Sequence, residues 1–167
     1  MHAELIRASA EHKTVVKNLM QFYIYDFSGF VTLDVEPDGL FAPYPTLDDY
    51  WNNDPARFSY VIKYSDKYIG FVLVRLINSG QQDYFSIAEF FVLKRYRRTG
   101  IGKFIAVQVF NLHRGQWEVF QKKPNLPAQK FWLKVIDDYT NGQFTQRVEK
   151  DKVIQEFENL PGTNIIK

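Results

Sequence analysis

No cysteine occurs among the 167 residues, which excludes disulfides, thiolate metal sites and a cysteine nucleophile. Histidine is scarce as well. His2, His12 and His113 are scattered, with no His-x-x-x-His spacing, so no metal site is expected. Apolar runs fall far short of the roughly 20 residues that cross a bilayer. The opening stretch "MHAELIRASAEHKTV" carries acids and no apolar run, so it reads as neither signal peptide nor anchor, and the chain is expected to be soluble and cytoplasmic. Net charge is only +2, too little to argue for a nucleic acid or a membrane surface as partner. Repeats, low-complexity tracts and linkers are lacking too, which leaves a single domain over residues 1–167.

Aromatic residues, by contrast, are plentiful. The 15 Phe, 10 Tyr and 3 Trp make 17% of the chain, enough to fill a core and also to line a pocket for an apolar or cationic group. The hydrophobic pattern then orders the elements. "ELIRA" reads as a short strand. Ser9 is placed to cap a helix that carries Val15, Val16, Leu19, Met20 and Tyr23 at helical spacing. From "DFSGF" to "FAPYPTLDDYWNNDP" glycines and prolines break the pattern into a loop, with a short helix around Leu47 to Trp51. "RFSYVIKY", the turn "SDK" and "YIGFVLVRLI" predict a hairpin, and Tyr84 to Leu93 a third strand of the same antiparallel meander. A helix with Ile101, Ile105, Val109 and Leu112 on one face follows, stopped by Gly115. After it come the strand "WEVFQ", a second helix from "NLPAQKFWLKVIDDY" with Pro127 in its first turn, and a closing strand pair, "QFTQRVE" and "KVIQEFE". The fold class is mixed α/β, α+β in character: a mostly antiparallel twisted sheet flanked by helices.

Between the third strand and the next helix stands "RRTGIGK", Arg97 to Lys103. A Walker A loop requires a glycine where Arg97 stands and Ser or Thr where Phe104 stands. A dinucleotide fingerprint requires a third glycine at Ile105. Neither template fits. What remains is Arg97-x-x-Gly100-x-Gly102 at a strand-to-helix junction. A helix N-terminus leaves main-chain N–H groups without partners and carries a positive dipole end. Glycines let an anion approach those amides, and Arg97, Arg98 and Lys103 add charge. An ordinary capped turn with solvated cations accounts for the same residues equally well.

Two segments together go further. "FFVLKRYRRTGIGK", followed by "NLPAQKFW" at the start of the next helix, resembles the strand, [Arg/Gln]-x-x-Gly-x-[Gly/Ala] loop and Asn-x-x-Ala-x-x-[Phe/Tyr] segments of the GNAT family of acetyl-CoA-dependent N-acetyltransferases. The tight resemblance covers Ser86 to Ile136, within a motif core of residues 84–136. It implies the acyl-CoA N-acyltransferase fold, with splayed parallel strands opening a cleft, and acetyl-CoA as cofactor. It further implies that the pantetheine arm runs along Phe90, Phe91 and Val92. The pyrophosphate would lie on the amides around Arg97, Arg98, Thr99, Gly100, Ile101, Gly102 and Lys103. Asn125 would bond the pantetheine end, with Ala128 and Phe131 against the cofactor. Asn125 is also a good helix cap, and Ala128 and Phe131 suit an apolar helix stripe. The Val92 amide would stabilise the oxyanion.

The chain departs from the family pattern in two places. Where the family frequently has an acidic Tyr, seven residues after the Asn, this chain has Trp132, whose indole cannot protonate a thiolate. Tyr139, two turns on, is the substitute candidate for the acid. The strand positions that often carry the base hold Ser86 and Ala88. Glu89 is the nearby acid, one residue out of phase by strict alternation, and a bulge is needed to re-aim it. Resemblance also suggests an acceptor pocket near Tyr23, Asp26 and Tyr84, with Asp26 receiving a cationic amine. The acceptor would be a small-molecule or peptide amine, and the C-terminal hairpin is a candidate homodimer surface. Two other readings stay open: an acyl-CoA-binding module without catalysis, and nucleic-acid binding through "KRYRRTGIGK" and Lys122-Lys123.

Overall fold

The computed structural model describes residues 3–160. Seven strands form one sheet in the order β1-β2-β3-β4-β5-β7-β6. They are β1 (Ala3–Arg7), β2 (Arg57–Tyr64), β3 (Lys67–Ile77), β4 (Tyr84–Val92), β5 (Gln116–Lys122), β6 (Thr145–Glu149) and β7 (Lys152–Glu158). The helices are α1 (Lys13–Phe27), α2 (Ile101–Leu112) and α3 (Leu126–Thr140), with short 3₁₀ turns at Ala10–His12, Leu47–Trp51 and Lys94–Tyr96. Every strand pair is antiparallel except β4 with β5.

Alternation in the central strands explains the layers. Val61 and Ile62, Phe71 and Val72, Leu73 and Val74 send successive side chains to opposite faces. One set packs beneath α2 and α3 with Ile105, Val109, Phe110, Trp117 and Ile136. The other packs against α1 with Val16, Leu19 and Met20, and against Leu47 and Tyr50 of the long loop. Both faces are therefore covered, and β2 and β3 read as continuous apolar runs. Burying one such side chain fully stabilises the fold by about 2 kcal/mol before the entropy of ordering it.

Ser9 differs from its expected role. It stands before the 3₁₀ turn Ala10–His12, and α1 begins only at Lys13. The Ser9 N–H donates to Nδ1 of His12 at 3.1 Å, so the imidazole supplies the reciprocal half of the cap. Gly70 meets a strict steric demand. A Cβ there would lie 2.1 Å from the carbonyl oxygen of Phe91, so only glycine lets β3 approach β4 this closely.

Candidate active site

β4 and β5 pair only at Tyr84 with Gln116 and Phe85 with Trp117. Beyond that point they diverge, and the cause lies in β4. Its register against β3 shifts between Leu73 and Val74, whose partners are Glu89 and Ile87, so Ala88 has no opposite residue. Such a bulge bends its strand and turns the following side chains. Phe85 and Ile87 face α2 and α3, whereas Ala88 and Phe91 face α1. Glu89, two residues before Phe91, shares that second face.

The divergence opens a cleft of about 560 Å³ through the sheet. On one side it is lined by Phe90, Val119, Gln121, Asn125, Ala128 and Trp132. On the other it is lined by Tyr23, Ile24 and Phe27 of α1 and by Leu33, Phe41, Pro43 and Tyr44 of the loop. Glu89 lies in the wall between the two halves. Tyr44 Oη donates to Glu89 Oε1 at 2.6 Å, and the Tyr23 hydroxyl is hydrogen-bonded to the same carboxylate. Burial pushes the Glu89 carboxyl above the ordinary carboxylate range; the two phenols, and then the charge of Arg75, pull it partly back. Tyr23 and Tyr44 are both held far above the usual phenol range, by burial first and then by the charge of Glu89. Both phenols are therefore donors to a carboxylate poised to take a proton.

The end of β4 presents main-chain groups on the edge away from β3. The Leu93 N–H donates to Ile69 O at 2.8 Å across to β3. Antiparallel alternation then turns the N–H and C=O of Val92 away from β3, toward the gap. The Val92 carbonyl is taken by Arg97 Nε at 2.6 Å, which leaves the Val92 amide on the side that β5 has vacated. The glycine turn follows. Gly100 (φ 87°) and Arg98 (φ 62°) are both left-handed, and Gly100 caps α2 without any side chain. The first main-chain bond of α2 is Phe104 N–H to Gly100 O at 3.0 Å. No side chain therefore covers the amides of Ile101, Gly102 and Lys103, an arrangement suited to an anion. Beside it, Gly100, Lys103, Phe104, Asp138 and Tyr139 line a second hollow between α2 and α3.

The model of the acetyltransferase (GNAT) family matches residues 19–136, across both the turn and the cleft. The chain belongs to the GNAT acetyltransferase family. Its fold is similar to that of a PaiA N-acetyltransferase from Thermoplasma acidophilum, solved in complex with coenzyme A (12% identity, 95% of this chain and 100% of that one, TM-score 0.66). An acetyltransferase from Thermus thermophilus aligns comparably (10% identity, 95% and 98%, TM-score 0.66). An acetyltransferase from Bacillus anthracis in complex with acetyl coenzyme A aligns over 67% of each chain at 20% identity and TM-score 0.51. No curated protein sequence matches significantly.

Set in the GNAT fold, the residues expected from sequence divide into two groups. Glu89, Phe90, Asn125 and Ala128 line the cleft together with Tyr23. The Val92 amide and the turn from Arg98 to Lys103 follow Phe90 along the chain and are not among the residues that line the cleft. Asn125 does cap α3, with Oδ1 accepting from the Ala128 N–H at 3.1 Å, and this uses only the oxygen of its amide. Phe131 packs on Gly102, where an added Cβ would meet Phe131 Cε2 at 3.1 Å. The missing side chain at Gly102 thus serves helix packing. Phe91 points away from Phe90 and α3, into the core under α1, so its main chain alone is available to a ligand.

Several of the expected residues have partners elsewhere or stand off the cleft lining. Asp26 does not line the cleft: its carboxylate forms an ion pair with the Arg97 guanidinium. Arg97, bound to Asp26 and to the Val92 carbonyl, ties the turn to β4 and α1. Tyr84 sits where β4 and β5 are still paired, at the closed end of the split. Tyr139 is buried, its hydroxyl donating to Asn111 Oδ1 at 3.0 Å and accepting from Asn159 Nδ2 at 3.2 Å. That phenol joins α2, α3 and the end of β7, and it lies outside the main cleft. Lys103, too, is engaged, with its ammonium 2.7 Å from Asp138 Oδ2. Trp132 occupies the cleft wall, edge-on to Phe90 at 5.1 Å.

Sequence reading missed most of the apolar walls of this cleft and two of its polar residues. Tyr44 reaches Glu89 from a distant loop, and its signal was its setting between Pro43 and Pro45, a stiff segment that holds an aromatic ring in place. Gln121 is buried in the cleft wall. Its Nε2 donates to Gln155 Oε1 at 2.9 Å, while its Oε1 has no partner. A buried acceptor left open in a cleft wall suits a ligand N–H. Among the described residues no His, Asp or Glu cluster could hold a metal, and no helix is long and apolar enough to cross a membrane.

Proposed function

We propose that the chain is an acetyl-CoA-dependent N-acetyltransferase in which a primary amine attacks the acyl group directly, both substrates being bound at once. One observation carries this reading: β4 and β5 pair only at their first residues, and the cleft beyond is lined by Glu89 on β4 together with Phe90, Asn125, Ala128 and Trp132. The residues fit the cofactor. The uncovered amides of Ile101, Gly102 and Lys103 suit a pyrophosphate, and exposed Arg98 adds charge. The vacated β4 edge suits a pantetheine amide, and the open Gln121 Oε1 suits one of its N–H groups. Acetyl-CoA supplies the activated acyl group.

The chain's own residues perform the rest. Glu89 takes a proton from the amine at Oε1 or Oε2, directly or through one water. Its raised pKa brings it closer to that of a competent base at neutral pH, and Tyr23 and Tyr44 fix its position. The Val92 N–H donates to the oxygen on which negative charge develops. Apolar walls from Phe90, Ala128 and Trp132 exclude water from the reacting atoms. No phenol stands at Trp132, and in this reading the thiolate leaves without a dedicated acid.

Melting curves with acetyl-CoA, coenzyme A and a short nucleic acid test the assignment. Stabilisation by both cofactor forms and none by the nucleic acid is expected; at 100 times Kd it amounts to about 2.7 kcal/mol. Absence of a shift with either cofactor form refutes the reading. A shift without amine-dependent thiol release supports the binding-module alternative instead.

A further inference from the structure

We propose that the acceptor is a primary amine on an apolar body without a second charge, of the arylalkylamine or branched alkylamine class; this rests on the transferase reading above. The two halves of the cleft differ in kind. The half under α3 suits the cofactor. The half built by α1 and the loop is walled by Ile24, Phe27, Leu33, Phe41 and Pro43, with Glu89 and its two phenols at the inner end. Tyr23 lies stacked on Phe27, with centroids 5.9 Å apart and planes 14° apart, a flat wall against which an aromatic or branched group packs well.

The charges around this chamber decide between amine classes. Only Asp34, Glu89 and Lys122 among the lining residues are charged. The Lys122 ammonium is held by Asp151, and Arg75, whose charge reaches Glu89, does not line the cleft, so no lining cation is left over for a substrate carboxylate. Amino acids are therefore poor acceptors. Asp34 is exposed at the rim, and Asp26, the other acid at this end of α1, is held by Arg97. Glu89 is thus the single inner carboxylate. A polyamine would leave its further ammonium groups among Phe27, Phe41 and Pro43, desolvated and unpaired. The body of a monoamine buries apolar surface there instead.

The test uses the full chain saturated with coenzyme A, so that binding is read without turnover. Calorimetric titration with 2-phenylethylamine, isopentylamine, spermidine and glutamate should rank the first two at least tenfold tighter than the last two. With acetyl-CoA, kcat/KM should follow the same order. Phe41→Ala should raise KM for 2-phenylethylamine about tenfold with kcat little changed. Leu33→Asp, at an exposed site, should shift preference toward 1,5-diaminopentane. Spermidine or glutamate binding as tightly as 2-phenylethylamine overturns the proposal, as does failure of all four to bind. Acetylation of spermidine alone would overturn it while keeping the transferase reading. Selective binding of 2-phenylethylamine with no acetyl transfer would keep the amine class and refute the transferase.

Discussion

Replacing Glu89 by Gln removes the proposed base and little else. The amide has nearly the carboxylate's volume, its oxygen can still accept from Tyr44 Oη, now 2.6 Å away, and its NH₂ can donate to the Tyr23 oxygen. The remaining lining acid, Asp34, stands at the exposed rim and cannot replace it. The expected loss in kcat is that of a general base, about 10²- to 10⁴-fold, or roughly 3–5 kcal/mol. Wild-type kcat/KM should also fall on acidification, through a limb above the ordinary carboxylate range, because burial raises the pKa of Glu89. That limb should vanish in the variant. Stability carries the opposite sign. The folded protein holds a proton on Glu89 more tightly than the unfolded chain does. Its charge therefore destabilises the fold increasingly as pH rises from about 4.5 through the raised value. Glu89→Gln should melt at or above the wild-type temperature at pH 8, with the difference fading below pH 4. The assay is thiol release with a saturating amine from pH 5 to 9, beside melting curves at the same pH values. A variant with wild-type turnover and an unchanged acid limb would refute the role of Glu89, and a variant that melts well below wild type would make the carboxylate structural.

Other perturbations follow from the same geometry. Tyr44→Phe removes a donor to the ionised carboxylate, so the acid limb should move to higher pH while transfer persists; a limb that stays in place would show that the hydrogen bond does not tune the base. Tyr139→Phe should lower stability by about 1 kcal/mol through the Asn111 and Asn159 bonds and leave kcat within a factor of a few. Loss of turnover there would restore Tyr139 as the acid. Gly70→Ala puts a Cβ 2.1 Å from the Phe91 carbonyl and should destabilise by at least about 1–3 kcal/mol in denaturant titration, since backbone must move.

What could be read in advance depended on how locally it was encoded. The β2-β3 hairpin followed from its two apolar, aromatic-rich runs and the turn between them, and the short helix at Leu47–Trp51 was found at the bounds expected. The glycine turn and Asn125 were legible because their spacing is itself the signal. Glu89 was legible as a residue but not as a direction. The bulge at Ala88 arises from pairing with β3, and strand alternation alone sends Glu89 to the wrong face. Asp26, Tyr84 and Tyr139 stand off the cleft lining for a related reason. Their surroundings follow from tertiary contacts with Arg97, Gln116 and Asn111, and helical or strand spacing says nothing about which distant partner takes a polar group first.

The central claim is tested most directly by incubating the purified chain with acetyl-CoA and 2-phenylethylamine and following free thiol and N-acetylated product together by mass spectrometry. The account predicts equal amounts of both, dependent on the amine and reduced at least about a hundredfold by Glu89→Gln. Thiol release that does not depend on the amine, or a chain stabilised by acetyl-CoA that acetylates no amine, would contradict it.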